Sequence, residues 1–128
     1  MKQPYDCLIN AAAVTDFKPK QMFPGKLKSE NPKLILELVP TSKIIDQVKS
    51  WAPKIFLVGF KLEPHLKSAS VLKETRSLFE KSGCDLVVAN TLPEKDYHAW
   101  IVEKGAGIIE QAGSRTQVVQ KLVQQLIK

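Results

Sequence analysis

Ile55-Phe56-Leu57-Val58-Gly59-Phe60 and Asp85-Leu86-Val87-Val88-Ala89-Asn90 are two short, almost wholly apolar runs on either side of a stretch with helical periodicity. An apolar run of this length reads as a strand covered on both faces, since a half-exposed strand would alternate. Between them, after Pro64, Val71, Leu72, Leu78 and Phe79 fall on one helical stripe, and Gly83 stands where a left-handed residue closes a helix. Strand, helix and strand in this order predict parallel neighbours joined by a crossover helix.

Working outward towards the N-terminus, Cys7-Leu8-Ile9-Asn10-Ala11-Ala12-Ala13-Val14 is a third compact apolar run and reads as another strand buried on both faces. Residues 16–32, rich in Lys, Pro and Gly, read as a loop, and Leu34-Ile35-Leu36-Glu37-Leu38-Val39 as a strand. Thr41 or Ser42 is placed to cap a helix carrying Ile44, Ile45, Val48 and Trp51 on one face, with Pro53 closing it. Towards the C-terminus, 97–102 and 106–111 read as strands joined by Glu103-Lys104-Gly105, a hairpin connection. Ser114 with Gln117 three residues on is a capping-box pattern opening a helix that is expected to bury Val118, Val119, Leu122, Val123, Leu126 and Ile127. The fold class is therefore α/β: a Rossmann-like, mostly parallel sheet with helices on both faces and an added β-hairpin, organised as a single domain over residues 1–128.

At 128 residues, 44% hydrophobic and 25% charged, the chain has the composition of one globular domain, and every apolar run is too short to span a bilayer. Met1-Lys2-Gln3-Pro4-Tyr5-Asp6 has a proline and an acid where a signal peptide needs an apolar stretch, so a cytoplasmic location without membrane attachment is expected. Nineteen basic residues against 13 acidic ones give a formal charge of +6. That charge suits an anionic ligand such as a nucleotide or phosphate ester, and equally weak nucleic-acid binding. The basic stretch lacks interleaved aromatics and any nucleic-acid motif, so a nucleic-acid partner ranks last. Cys7 and Cys84 have no metal-ligand spacing and read as buried free thiols. His65 and His98 have no partnering Cys or acid pattern, and no metal site is expected from side chains alone.

Ligands of parallel sheets sit beyond the carboxyl ends of the strands. The unusual residues fall there: Asn10 to Asp16, Phe60-Lys61 and Asn90-Thr91. Ala11, Ala12 and Ala13 leave the main chain uncovered for a flat ligand, with Asp16 supplying a carboxylate just beyond; alternatively the alanines fit against a helix and Asp16 caps a turn. Lys18, Lys20, Lys26, Lys28 and Lys33 can fold over a polyphosphate, or form a solvated basic loop. Gly59 permits close main-chain approach, and Phe60 can pack on a base or belong to the core. No Gly-rich turn follows the first strand, which predicts that the sheet begins on a segment outside this chain or on another chain.

The run Asn10-Ala11-Ala12-Ala13-Val14-Thr15-Asp16-Phe17-Lys18-Pro19 resembles the Ala-Ala-Val-x-Asp-Tyr-x-Pro signature of phosphopantothenate–cysteine ligase. Further blocks follow in order: Gly25-Lys26-Leu27-Lys28 is similar to the family's Lys-Ile-Lys, and Leu36-Glu37-Leu38-Val39-Pro40-Thr41 with Ile44-Ile45 to its strand-to-helix passage. Val58-Gly59-Phe60 and Asp85-Leu86-Val87-Val88-Ala89-Asn90 resemble Val-Gly-Phe and Asp-Leu-Ile-x-Ala-Asn. The resemblance implies an enzyme part, the nucleotide-binding C-terminal half of a ligase. In this family a nucleoside triphosphate, CTP or ATP with Mg²⁺, activates the carboxylate of 4′-phosphopantothenate; cysteine then attacks the acyl-nucleotide, a step of coenzyme A biosynthesis.

Carried over by position, the resemblance implies that Asn10, Ala11 and Ala12 line the nucleotide and Asp16 contacts it. Lys26 lies on the phosphates, Ser42, Lys43, Ile44 and Ile45 meet the nucleotide from a helix start, and Phe60 flanks it. Lys81 stands where bacterial members carry a larger basic cluster, a departure that leaves the choice between CTP and ATP open. The family's catalytic asparagine and Gly-rich turn belong to an N-terminal βαβ portion with no counterpart here. The expected partners are thus 4′-phosphopantothenate, cysteine, the nucleotide, and a second copy or a partner chain with that half. The 97–111 hairpin and the 33–39 strand are candidate pairing surfaces. A non-catalytic nucleotide-binding module of the same fold is the alternative.

Overall fold

The computed structural model describes residues 4–30, 32–92 and 94–128. The chain divides into two compact units, one formed by Met1–Ala11 with Ile45–Lys128 and the other by Ala12–Ile44.

The larger unit is built on a five-stranded sheet of order β1-β4-β5-β6-β7, where β1 is Cys7–Asn10, β4 Phe56–Leu62, β5 Leu86–Asn90, β6 Ala99–Glu103 and β7 Gly107–Ala112. β1, β4 and β5 run parallel; β6 and β7 form the expected antiparallel hairpin, with a register shift between Ile101 and Val102. Helix α1 (Ile45–Trp51) leads into β4, helix α2 (Val71–Ser82) crosses from β4 to β5, and helix α3 (Arg115–Leu126) follows β7. Helices cover both faces, as the uninterrupted apolar runs of β4 and β5 demand. Val58, Leu86, Val88 and Ile101 face α3 through Val118 and Leu122. Leu57, Val87 and Cys84 face α1 and α2 through Ile45, Val48 and Leu78. Leu57, Leu86 and Ile101 are fully enclosed, and each such side chain contributes about 1.5–3 kcal/mol of burial free energy.

Local signals hold at the helix ends. Gly83 closes α2 with φ of 69°, its N–H donating to the Phe79 carbonyl. Ser114 caps α3 by accepting from the Gln117 N–H, while the Gln117 side chain accepts from the N–H of Gly113.

Several expectations are corrected. The first apolar run is not a strand buried on both faces over eight residues. It pairs only from Cys7 to Asn10, at the sheet edge, with Leu8 and Ile9 exposed. An edge strand lacks a neighbour to extend cover over its side chains. Ile44 and Trp51 are exposed, although Ile45 and Val48 on α1 are buried. On α3, Val119 and Val123 are exposed beside the buried Val118 and Leu122, and Ile127, just past the helix, is exposed too. A sheet lies against one side of each helix, so a broad apolar face is only partly covered. Of the thiols, Cys84 is buried and Cys7 half-buried.

The smaller unit is a two-stranded antiparallel ribbon of β2 (Phe17–Pro19) and β3 (Leu38–Pro40), with Phe17 opposite Pro40 and Pro19 opposite Leu38. The segment expected as a loop thus contributes a strand. The strand expected over 34–39 begins only at Leu38, and Leu34, Ile35 and Leu36 are exposed. A bond from the Lys20 N–H to the Glu37 carbonyl continues the ribbon one step further.

Candidate functional site

In the sheet unit, three candidate residues gather at the carboxyl end of the parallel strands. Asn10 is the last residue of β1 and lies in register with Gly59. Phe60 follows Gly59, and Ile45 opens α1 at this end, because a helix leading into a parallel strand runs opposite to it. A Cβ at Gly59 would stand 3.2 Å from Cδ1 of Ile45, 3.2 Å from Cδ2 of Leu78 and 2.9 Å from Sγ of Cys84. The missing side chain therefore admits α1 and α2 to the sheet, a correction to the reading that the glycine admits a ligand. Ile45 itself is a core residue, and only its main chain stands at the helix start.

Strand alternation sends Phe60 to the opposite face, where it is half-buried against the cluster under α3. Its packing is that of a core-edge aromatic with part of the ring open. Ala11 is exposed directly after β1. Asn90 ends β5, and its carbonyl accepts from the Glu63 N–H at 3.0 Å, tying the ends of β4 and β5 together.

Lys81 does not join this group. It lies in the last turn of α2, which returns antiparallel to β4 and delivers the chain to the amino end of β5. The length of the strands, roughly 15–20 Å, separates that end from Asn10 and Phe60. The resemblance named Lys81 as the remnant of a basic cluster before a strand, and in the sheet unit that position is at the amino end of β5.

In the ribbon unit, the Asp16 carboxylate and the Lys43 ammonium form an ion pair at 3.1 Å, both largely exposed. The Thr41 N–H donates to the Asp16 carbonyl at 2.9 Å, and the Thr41 hydroxyl donates to the Thr15 carbonyl. Thr41 thus closes the ribbon end and brings two candidate residues together; it does not cap α1. Exposed ion pairs contribute about 0–1 kcal/mol, so either partner can be exchanged for a ligand group at small cost. Lys26 is exposed and follows Gly25, whose φ of 84° in open surroundings is a conformation that glycine adopts without strain. Ala12, Ser42, Lys43 and Ile44 are likewise exposed. Lys20 pairs with Glu37 at 3.1 Å beside a groove of about 240 Å³ lined by Pro19, Phe23 and Ile35.

Two grooves on the sheet unit lie away from the carboxyl ends of the parallel strands. One of about 320 Å³ separates Leu72, Thr75 and Phe79 of α2 from the hairpin turn, and one of about 410 Å³ lies beside Tyr5 and Pro53. Neither contains a candidate residue. Among the described residues no three His, Cys, Asp or Glu side chains gather into a cation cage. His98 instead packs on Trp100, ring centroids 4.5 Å apart, with Nε2 3.3 Å from the Gln111 side-chain oxygen.

A family model described as the DNA/pantothenate metabolism flavoprotein C-terminal domain matches residues 1–127. The chain belongs to this family. It is 51% identical over 88 residues to the coenzyme A biosynthesis bifunctional protein CoaBC of Thermococcus kodakarensis, covering 69% of this chain and 22% of that protein. It is 35% identical over 97 residues to the human phosphopantothenate–cysteine ligase, covering 73% of this chain and 30% of that one. The crystal structure of a DNA/pantothenate metabolism flavoprotein from Streptococcus pneumoniae superposes with a TM-score of 0.81 at 28% identity, over 95% of this chain and 62% of that one. The chain thus spans about a fifth to a third of the length of these two curated relatives. The motif resemblance to phosphopantothenate–cysteine ligases is borne out, and so is the α/β fold class.

Sequence spacing missed the Thr41 clasp, the Asp16–Lys43 pair and the Lys61–Glu63 pair, the last at 3.0 Å. Lys61 and Glu63, two apart in the chain at the end of β4, were legible as an opposite-charge pair. Asp16 and Lys43 are brought together only by ribbon pairing.

Proposed function

We propose that this chain is the nucleotide-binding part of a ligase that joins 4′-phosphopantothenate to cysteine through an acyl-nucleotide, using CTP or ATP. The observation that carries the reading is the 51% identity to a coenzyme A biosynthesis protein over 88 residues. The name of the human relative supplies the acid and the amine.

In the sheet unit, Asn10, Ala11 and the main chain at Ile45 offer hydrogen-bonding groups at the end where parallel sheets take ligands, and Phe60 offers a partly open ring. In the ribbon unit, Asp16 offers a carboxylate to sugar hydroxyls, Lys26 and Lys43 offer cations to phosphates, and Ala12, Ser42 and Ile44 leave main chain accessible. Each set is proposed to contact a nucleotide; Lys81 is not carried forward. Mg²⁺ commonly binds through substrate phosphates and one or two carboxylates, so it would come as the companion of the triphosphate, held chiefly by the phosphates. Bound there, it would neutralise phosphate charge as pyrophosphate departs.

The functional assembly is proposed to be a homodimer or a complex with a chain carrying the N-terminal half. Among the described residues of the ribbon unit all but Val39 and Thr41 are exposed, Met22 at 96% and Ile35 among them. Phe23 and Ile35 line one groove of this unit, and exposed apolar surface that is contiguous marks interaction sites.

Thermal denaturation of the chain with CTP or ATP and Mg²⁺ tests the proposal. A rise in melting temperature that Asp16→Ala and Lys26→Ala abolish is expected. No shift with either nucleotide overturns it. A shift without ligase turnover, when the complementary half is added, indicates a non-catalytic binding module.

A further inference from the structure

We propose that Lys61 is a phosphate-binding residue, presented at the carboxyl end of β4 on the face that carries Asn10 and poised there by Glu63. The inference rests on the nucleotide-ligase reading for the identity of its ligand, and on the sheet unit alone for its geometry.

The sheet has a step at this end. β1 stops at Asn10, in register with Gly59, whereas β4 continues through Phe60 and Lys61 to Leu62. Over those three residues β4 has a strand neighbour only in β5. Alternation puts Lys61 on the same face as Gly59, and parallel register puts Asn10 on that face too. Lys61 stands roughly 6.6 Å further along the strand direction than the Asn10 level. It is on the face where α1 begins at Ile45, which packs over Gly59. An amide and an ammonium thus lie on one face of the sheet at the strand ends, where β4 runs on past β1.

The cation is positioned, not loose. Its Nζ lies 3.0 Å from Oε1 of Glu63, and both side chains are about a third exposed. The Glu63 main chain is fixed at both groups: its N–H donates to the Asn90 carbonyl at 3.0 Å, and its carbonyl accepts from the Leu66 N–H at 3.2 Å. An ammonium has three donors, and the carboxylate engages one, leaving the others for a ligand. A doubly charged phosphate attracts the ammonium more strongly than the single carboxylate does, so the ligand can take Lys61 over from Glu63 or share it. Two sources of phosphate fit the proposed reaction: the triphosphate of the nucleotide and the phosphomonoester of 4′-phosphopantothenate.

Calorimetric titration of the intact chain and its Lys61→Ala, Lys61→Arg and Glu63→Gln variants tests this. The ligands are CTP, ATP and 4′-phosphopantothenate, with cytidine, adenosine and pantothenate as their unphosphorylated counterparts. Lys61→Ala is expected to weaken the phosphate ligand held there by about tenfold while leaving its unphosphorylated counterpart unchanged. Lys61→Arg should keep most of the affinity, and Glu63→Gln should raise it by removing the competing anion. Loss confined to the nucleotides identifies the triphosphate; loss confined to 4′-phosphopantothenate identifies the phosphomonoester. Equal affinity of wild type and Lys61→Ala for every phosphate ligand overturns the inference and leaves the nucleotide reading standing. An equal loss for phosphorylated and unphosphorylated ligands also overturns it, as the mark of a structural role. A wild type that binds none of the six overturns both.

Discussion

A Cβ atom built on Gly59 would lie 2.9 Å from Sγ of Cys84, and Cys84 is fully enclosed. The strand and the loop after α2 therefore share one small volume beneath α1. Gly59→Ala is expected to destabilise the fold by about 1–3 kcal/mol through overpacking. Cys84→Ala removes the opposing sulfur, so the double variant should lose less than the sum of the two single losses. Urea denaturation of all four proteins measures the coupling; strict additivity would show that the two positions do not share this space.

Asp85 ties three elements at the amino end of the parallel strands. One of its oxygens accepts from the Lys49 ammonium at 2.7 Å and from the Leu57 N–H at 2.8 Å, and the same ammonium donates to the Ile55 carbonyl at 2.6 Å. Both side chains are mostly buried. Asp85→Ala leaves a part-buried main-chain donor and a cation without their acceptor, a loss expected at about 2–4 kcal/mol. Lys49→Met keeps the apolar stem and the Asp85–Leu57 bond, and should cost less. Denaturation midpoints of the two variants check the order.

Burial pushes the Cys84 thiol above its ordinary range, with the Asp85 charge adding to the rise and the Ser82 hydroxyl and Lys49 opposing it. Burial followed by Asp85 does the same to Cys7. A thiol whose folded pKa is raised holds its proton more tightly in the fold. Its contribution is complete below the unfolded thiol value, about 8.5, and is lost as pH climbs past it towards the folded value. Stability of the wild type should therefore fall more steeply than that of Cys84→Ala above about pH 8.5. At neutral pH a thiol reagent should label half-buried Cys7 slowly and Cys84 only on unfolding. Prompt labelling of both in the folded chain would contradict this.

Ser114 anchors α3 through its Oγ, which accepts from the Gln117 N–H at 3.2 Å. Ser114→Ala should cost about 1 kcal/mol, and Ser114→Asp should restore most of it. Thermal denaturation distinguishes the three forms. Equal melting temperatures would show that the Gln117 side chain alone holds the helix start.

Local signals in the sequence were enough to set the class of the fold, because they report burial and capping one segment at a time. The apolar runs at Leu57-Val58 and Leu86-Val87-Val88 are strands because only a doubly covered strand leaves so little for water. Gly83, and Ser114 with Gln117, end and begin helices by chemistry confined to a few neighbouring residues. Tertiary structure decided what depends on neighbours distant in the chain. It left Leu8 and Ile9 on an edge, exposed Ile44, Trp51 and Val119, and gave the vacancy at Gly59 to Cys84 and Ile45. Of the candidate site, the carboxyl-end residues Asn10 and Phe60 were legible, since chain direction along parallel strands settles which end they occupy. Lys81 was not: its nearness in sequence to β5 concealed that the crossover helix ends at the other end of the sheet. The partners of charged residues followed the same division. Lys61 meets Glu63 two positions further along the chain, just past the end of β4, while Asp16 meets Lys43 only because Phe17–Pro19 pairs with Leu38–Pro40.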